Sequence, residues 1–353
     1  MGRFNLAIAT NTTPDIIWIG AMDLYSWARR GLLVDFNNLI SDYERKDMPD
    51  WLFEKCSVNG KIVVLPYGLG PSCMAVNLDI AKVTNTTHLL PIDKPYRNWT
   101  IEEFEKYLSA IKPYCDENGI ILTCIPCQDY FADADTRLMM AGFGAKMFNE
   151  DMSECILNSP EGIKAFEWFL HLRDIGLQPS HPETYPSDTE VGELYKQGKV
   201  AIYISEGYSV KTTATKVNNI LISKPTLKED LPNSRICVMA IGAFDKGNLE
   251  KREYAKLFCK FFADHQGENL KQFGYLPSKK SVSIEYQDDC MNYIQRIAKT
   301  PECNFDLGES FKYYQDLRLA FYPELKAAYA GTKTPKQALD DFANKVNELI
   351  KRG

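Results

Sequence analysis

The loop Glu206-Gly207-Tyr208 places a carboxylate and a phenol directly after an apolar run, residues 200–204. This run is rich in β-branched residues and follows Gly198, so a buried strand is favoured over a segment of a buried helix. In α/β domains, ligands bind where strands end in loops. A carboxylate accepts hydrogen bonds from hydroxyl groups, and an aromatic ring packs against C–H groups, so the loop is a candidate binding site.

The residues before this loop predict the elements that position it. Ser159 is a good N-cap and Pro160 suits the first position of a helix, which Gly176 then ends. Residues 190–197 predict a second, shorter helix that stops at Gly198. The loop would therefore follow a helix–helix–strand unit.

Other motifs in the sequence are weaker evidence of a functional site. Cys124 and Cys127 form a CxxC pair that a redox motif or half of a zinc site would use, but no second pair and no nearby histidine accompany it. Small buried thiols are the favoured interpretation. The glycine pairs in 68–70 and 142–144 lack the residues of a phosphate-binding loop. We expect no cofactor and no metal site.

The bulk composition limits the class of protein. A length of 353 residues suggests two domains. The net charge of −6 gives no basic surface for nucleic acid. No apolar run is long enough to span a membrane, and the N-terminal residues do not match a secretory signal peptide. The ten scattered cysteines fit reduced, buried thiols better than a disulfide framework.

Patterns along the rest of the chain predict an α/β protein. Residues 16–19 predict a short buried strand that Gly20 breaks, and Asp23 is a candidate N-cap for the next helix. Asn59-Gly60 predicts a hairpin turn, and residues 66–70 predict a loop. Further predicted strands are 62–65, 74–77, 120–122 and 236–241, and further predicted helices are 100–104 onward, 137–140, 254–262, 267–273 and 334–349. Such alternation predicts parallel sheets covered by helices.

Nine short phrases resemble, in content and order, the extracellular solute-binding proteins of family 1, to which maltose-binding protein belongs. The phrases are residues 13–17, 31–33, 59–61 with 65–67, 77–79, 99–104, 158–162, 198–201, 274–277 and 335–339. Each phrase is weak alone. Their common register over nearly the whole chain is specific to the family, though not to one sugar.

The resemblance implies a type II periplasmic-binding-protein-like fold. Each of two α/β lobes would be a mostly parallel sheet covered by helices, with the ligand in the cleft between the lobes and closure about a hinge. Lobe 1 would comprise residues 1–77 and 236–280, and lobe 2 residues 78–235 and 281–353.

The resemblance also implies a function. The chain would be a non-enzymatic, monomeric receptor that binds a carbohydrate and delivers it to the permease of an ABC importer. Family members begin with a signal peptide, usually that of a lipoprotein, so the expected location is extracytoplasmic, membrane-anchored or periplasmic.

One departure from the family lies at the N-terminus. The chain starts just before the third expected element, so lobe 1 would lack its opening strand and helix. A truncated copy without a transport role is therefore an alternative. A carbohydrate-active enzyme that uses Asp23 and Glu206 as paired carboxylates is a second alternative, which nothing else in the sequence supports.

The binding loops of the family match eight candidate ligand residues here. They are Trp18, Asp23, Tyr67, Asp129, Tyr130, Glu206, Tyr208 and Tyr275. Each also has a structural interpretation. Asp23 would be a helix cap, Trp18 would lie in the core, and Tyr67 and Tyr275 would pack in the hinge or core. Tyr208 would pack at the lobe surface, whereas Asp129, Tyr130 and Glu206 would lie in solvated loops.

Overall fold

A computed structural model describes residues 2–125, 133–184, 187–204, 216–228, 233–267, 270–271, 274–286, 289–299, 307–308 and 311–352. The helices are α1 (Gly2–Ala9), α2 (Ala21–Arg29), α3 (Asp42–Asp47), α4 (Asp50–Lys55), α5 (Leu78–Val83), α6 (Ile101–Asn118), α7 (Asp133–Ala141), α8 (Pro160–Asp174), α9 (Asp188–Lys196), α10 (Leu249–Asp264), α11 (Asp289–Ala298), α12 (Tyr314–Tyr329) and α13 (Pro335–Lys351). The strands are β1 (Ile16–Gly20), β2 (Ser57–Val58), β3 (Lys61–Ile62), β4 (Leu65–Pro71), β5 (Met74–Asn77), β6 (Ile202–Tyr203), β7 (Asn219–Ile222), β8 (Ile236–Ala243) and β9 (Leu276–Pro277). The predicted α/β class is confirmed.

Helix α8 begins and ends as its sequence predicts. The Ser159 hydroxyl accepts a hydrogen bond from the Gly162 amide (3.3 Å), and Pro160 occupies the first turn. Gly176 follows the helix with φ = 73°, the left-handed conformation that ends a helix without a Cβ clash. Only glycine fits at position 162, because an added Cβ would lie 1.8 Å from the Leu157 carbonyl oxygen.

Helices α6 and α13 are two of those that start with a capping box. Thr100 and Glu103 exchange side-chain and backbone hydrogen bonds at the start of α6. Thr334 and Gln337 do the same at α13, where Pro335 is the first helical residue. The predicted starts of both helices are confirmed, since these signals act within one turn of the chain.

The Asn59-Gly60 turn also forms as predicted. Asn59 and Gly60 have φ values of 52° and 73° and join β2 to β3, which pair antiparallel. Asn37 supports the turn, because its side chain donates to the Gly60 carbonyl (3.2 Å) and accepts from the Ile62 amide (2.8 Å).

The chain divides into two compact units. Unit 1 comprises Met1–Gly70, Cys237–Glu285 and Glu309–Tyr314, and unit 2 comprises Pro71–Ile236, Tyr286–Gly308 and Gln315–Gly353. The chain therefore passes between the units five times, after residues 70, 236, 285, 308 and 314. The lobe boundaries drawn from the sequence stay a prediction.

Unit 1 contains a sheet with the strand order β1-β8-β4-β9. Helix α10 covers one face, where Ala255, Cys259 and Ala263 pack on Ile241 and Leu65. Helix α2 packs on the other face. There a Cβ at Gly242 would lie 3.3 Å from the Leu24 side chain, so the missing side chain lets the helix approach.

Three local predictions in unit 1 need correction. Strand β1 is not buried throughout, because Trp18 is 38% exposed. The N-cap of α2 is Gly20, and Asp23 lies inside the first turn. Residues 66–70, predicted as a loop, belong to the fully buried strand β4. Pro66, Gly68 and Gly70 indicated a turn, but tertiary burial decides the conformation there.

Unit 2 contains a sheet with the strand order β6-β5-β7. Strand β5 pairs antiparallel with both neighbours, and β1–β8 and β4–β9 of unit 1 are antiparallel as well. For these four pairs the expected parallel direction is wrong. Continuous apolar runs indicate burial on both faces, but the connections between strands set their direction. Parallel pairing occurs at the isolated bridges Ile121–Val200 and Thr100–Thr226, so the predicted strand 120–122 is reduced to one bridge.

The predicted strand 62–65 is not one strand, because Ile62 ends β3 and Leu65 begins β4, and the predicted strand 200–204 is shortened to β6. The predicted helices 137–140 and 254–262 are parts of the longer α7 and α10. Helix α9 starts at Asp188 behind the cap Ser187, slightly earlier than predicted, and Gly198 follows it with φ = 78°. The predicted helix 267–273 lies largely outside the described residues. None of the helices that the structure describes is long and apolar enough to cross a membrane.

Candidate functional site

Four of the eight predicted ligand residues lie in the described part of the chain, all in unit 1. They are Trp18, Asp23, Tyr67 and Tyr275. The other four, Asp129, Tyr130, Glu206 and Tyr208, lie outside the described residues.

Trp18 and Tyr67 are brought together by the sheet. Trp18 on β1 and Tyr67 on β4 meet edge to face, with ring centroids 6.3 Å apart and planes at 87°. Phe262 of α10 contacts both rings, at 6.0 Å from Trp18 and 4.5 Å from Tyr67. Tyr67 is buried (2% exposed), whereas Trp18 keeps a partly exposed ring. The three rings thus form one aromatic cluster.

Tyr275 packs against strand β4 at Gly68. A Cβ at Gly68 would lie only 2.8 Å from Cβ of Tyr275, and β4 pairs with β9 through Gly68–Pro277. The glycine thus lets the backbone of β4 approach Tyr275. Sequence reasoning selected these aromatic residues separately, and the structure places Trp18, Tyr67 and Tyr275 around one segment of β4.

Asp23 occupies a different position. It lies in the first turn of α2, directly after β1 ends at Gly20, and it is 5% exposed. A carboxylate there is favoured by the partial positive charge of the helix N-terminus. The strand-to-helix exit is the kind of place in which α/β domains bind ligands.

Sequence reasoning missed a buried ionic cluster on α7. The Asp135 carboxylate contacts Lys224 Nζ at 2.8 Å and accepts a hydrogen bond from the Ser72 hydroxyl. Lys224 Nζ also donates to Ser72 Oγ (2.8 Å), and all three side chains are fully buried. Burial raises the pKa of Asp135, but the charges of Lys224 and Arg235 and the two hydrogen bonds outweigh it, so the pKa lies below its ordinary value.

A second buried carboxylate lies two residues earlier on α7. Asp133 accepts from Arg137 Nη2 (2.7 Å) and from Arg318 Nε (2.8 Å). Arg137 in turn donates to the Leu307 carbonyl (3.0 Å). The signal in the sequence was the Asp133–Arg137 spacing of one helical turn.

Two pockets in the described residues contain none of the predicted ligand residues. A pocket of about 630 Å3 in unit 1 is polar, with Lys61, Arg252 and Lys256 in its wall. A pocket of about 480 Å3 in unit 2 is lined in part by Trp168 and His171. Neither pocket contains a residue that the sequence singled out for ligand binding.

The described cysteines have no catalytic character. The eight cysteines at positions 56, 73, 115, 124, 155, 237, 259 and 290 are buried. Burial raises the pKa of Cys56 and Cys259 to about 12 and that of Cys115 and Cys155 to about 11. These four thiols are therefore protonated at neutral pH and poor nucleophiles. Cys127 lies outside the described residues. Within the described ranges, no three His, Cys, Asp or Glu side chains form a metal-binding group.

Comparison with solved structures shows the fold. Maltose-bound MalE3 from T. maritima is 16% identical, with a TM-score of 0.81 over 99% of this chain and 88% of that chain. A solute-binding protein of an ABC transporter from Thermotoga Lettingae TMO, bound with alpha-D-tagatose, is 15% identical, with a TM-score of 0.82 over 99% and 88% of the two chains. A solute-binding protein from Agrobacterium vitis S4 with bound D-mannitol is 18% identical, with a TM-score of 0.76 over 100% and 89%. The predicted type II fold is confirmed by this likeness.

The sequence itself identifies the family. No curated protein sequence matches the chain. The sequence model of one family, described as bacterial extracellular solute-binding protein, matches residues 1–291, which is most of the 353 residues. The predicted resemblance is thereby confirmed, and the chain belongs to the bacterial extracellular solute-binding proteins.

Proposed function

We propose that this protein is a receptor that binds a carbohydrate or a related polyol. The observation that carries the proposal is the family match together with the fold. The chain shares its fold over nearly its full length with proteins whose structures hold maltose, tagatose and mannitol. These ligands share many hydroxyl groups and exposed C–H faces.

The eight predicted residues have the chemistry for such a ligand. Trp18 would provide partly exposed aromatic surface, supported by the buried ring of Tyr67, and Asp23 would provide a carboxylate at a strand exit. Tyr275, packed against Gly68 of β4, would add a further aromatic ring. Asp129, Tyr130, Glu206 and Tyr208 would add two carboxylates and two phenols. Aromatic faces cover the C–H surface of a sugar, and carboxylates accept its hydroxyl hydrogens.

The receptor would deliver its ligand to the permease of an ABC importer and would act as a monomer without catalysis. Its location would be extracytoplasmic, either anchored as a lipoprotein or free in a periplasm. Hinge closure on the ligand would accompany binding.

A thermal-shift screen of mono-, di- and oligosaccharides and polyols tests the proposal. A ligand at 100 times its Kd stabilises the folded state by about 2.7 kcal/mol, which a melting experiment detects. We expect at least one of these compounds to raise the Tm, followed by saturable binding in calorimetry. A folded protein whose Tm no sugar or polyol changes would contradict the proposal.

Two tyrosine variants make the test specific. We expect Tyr208→Ala to weaken binding of the identified ligand roughly tenfold through the loss of aromatic contact. Tyr43→Ala serves as the matched control, because Tyr43 is 73% exposed and is not one of the predicted ligand residues. Equal affinities of the two variants would remove Tyr208 from the site.

A further inference from the structure

The ionic cluster of Asp135, Lys224 and Ser72 lies beside two places where the chain passes between the units. Unit 2 begins at Pro71, and its first long stretch ends at Ile236. Ser72 is thus the second residue after one passage, and Arg235 is the second residue before the other. Both residues belong to unit 2, as do Asp135 and Lys224.

Hydrogen bonds join these two chain segments directly. The Ser72 amide donates to the Arg235 carbonyl (2.7 Å), and the Ser234 hydroxyl donates to the Ser72 carbonyl (2.6 Å). The segment 233–235 is also fixed to α7, because the Asn233 side-chain amide donates to the Leu138 carbonyl (2.9 Å). Helix α7 therefore contacts both segments, through Asp135 on one side and Leu138 on the other.

A buried ion pair is poorly explained by stability alone. Replacing such a pair with apolar side chains of similar volume is often neutral or stabilising, because the charges no longer have to be desolvated. Hydrogen-bonded buried charges instead favour a single arrangement, since any other would leave a buried charge without its partner. Ser72 donates to Asp135 and accepts from Lys224, so its position is fixed from two directions.

We propose that Asp135, Lys224 and Ser72 are positioning residues that fix the unit 2 ends of both segments, Pro71–Cys73 and 233–236. This inference rests on the proposed receptor function, in which bending between the units accompanies ligand binding. A fixed end confines the bending to residues beyond the cluster and so sets the affinity for the ligand. The cluster itself need not touch the ligand.

Hydrogen exchange with mass spectrometry, on the full chain without sugar, tests the positioning directly. The variant combines Asp135→Leu with Lys224→Met, which removes both charges together. We expect exchange in residues 70–76 and 233–238 to become roughly tenfold faster or more. Exchange in α6 and α8 should be unchanged.

The matched control is Asp116→Leu with Lys112→Met. It removes an ion pair within unit 2 but leaves the bonds of Ser72 intact. We expect residues 70–76 and 233–238 to keep wild-type exchange in this control. Wild-type exchange of those residues in the Asp135 variant, or equal acceleration throughout unit 2, would overturn the inference. Because no sugar is present, this outcome is independent of whether the proposed ligand class is correct.

Discussion

Replacing Asp133 by Asn should strongly destabilise unit 2. The carboxylate is fully buried and accepts from Arg137 at 2.7 Å and from Arg318 at 2.8 Å and 2.7 Å. Asn retains one acceptor oxygen but places an NH2 group against a guanidinium, so two buried cations lose their counter-charge. Breaking a buried pair by removing one partner costs about 3–5 kcal/mol. That is a large fraction of the roughly 5–15 kcal/mol that stabilises a typical protein.

Urea denaturation measures this loss of stability, and hydrogen exchange in α7 and α8 measures whether the loss lies in unit 2. The matched control is Asp116→Asn, since Lys112 and Asp116 also pair across one helical turn (2.6 Å) but are exposed by 33% and 59%. An exposed pair contributes about 0.5 kcal/mol or less. If Asp133→Asn and Asp116→Asn lose the same stability within about 1 kcal/mol, the buried charges are not the cause and the reasoning fails.

Three further predictions concern other features of the fold. Gly162→Ala should lower the free energy of unfolding by about 1–3 kcal/mol in urea denaturation, because the new Cβ clashes with the backbone. Gly192→Ala in α9 should raise it by up to about 1 kcal/mol, because the new Cβ would lie 3.4 Å from the Tyr203 ring. The opposite order of stabilities would contradict this packing. Burial raises the pKa of Glu44, but hydrogen bonds from Lys260 and Ser41 outweigh burial and lower the pKa to about 2. The carboxylate therefore contributes its full stability above the ordinary pKa of 4.5, and this contribution is lost as the pH falls towards 2. The stability difference between wild type and Glu44→Gln, about 1 kcal/mol at neutral pH, should therefore shrink over that range in acid titrations; a constant difference would exclude this origin. Site-resolved alkylation should leave the eight buried cysteines unmodified in the native protein and modify them in urea, and rapid native labelling of Cys56 or Cys259 would contradict their raised pKa.

Signals that act within a few residues predicted local structure well. The caps Ser159, Thr100 and Thr334 and the Asn59-Gly60 turn form as expected. Each satisfies backbone groups or a φ requirement within one turn of chain, so no distant residue is needed.

Predictions failed where distant contacts decide the outcome. Residues 66–70 read as a loop because of proline and glycine, yet burial in the sheet and the approach of Tyr275 to Gly68 make them a strand. The antiparallel pairing of β5 with β6 and β7 could not be predicted either, because an apolar run indicates burial but not strand direction. The candidate site shows the same limit. Aromatic residues could be selected by type, but only the sheet order brings Trp18 near Tyr67.

The sequence by itself determined the family, the α/β class and several helix starts, because these depend on short patterns read along the chain. The tertiary structure alone decided which charges are buried together. Asp135 and Lys224 lie 63 and 152 residues after Ser72, and nothing in the local sequence marks the three residues as partners. Their pairing depends on loss of water around all three groups, which happens only when α7 packs against chain segments from distant parts of the sequence.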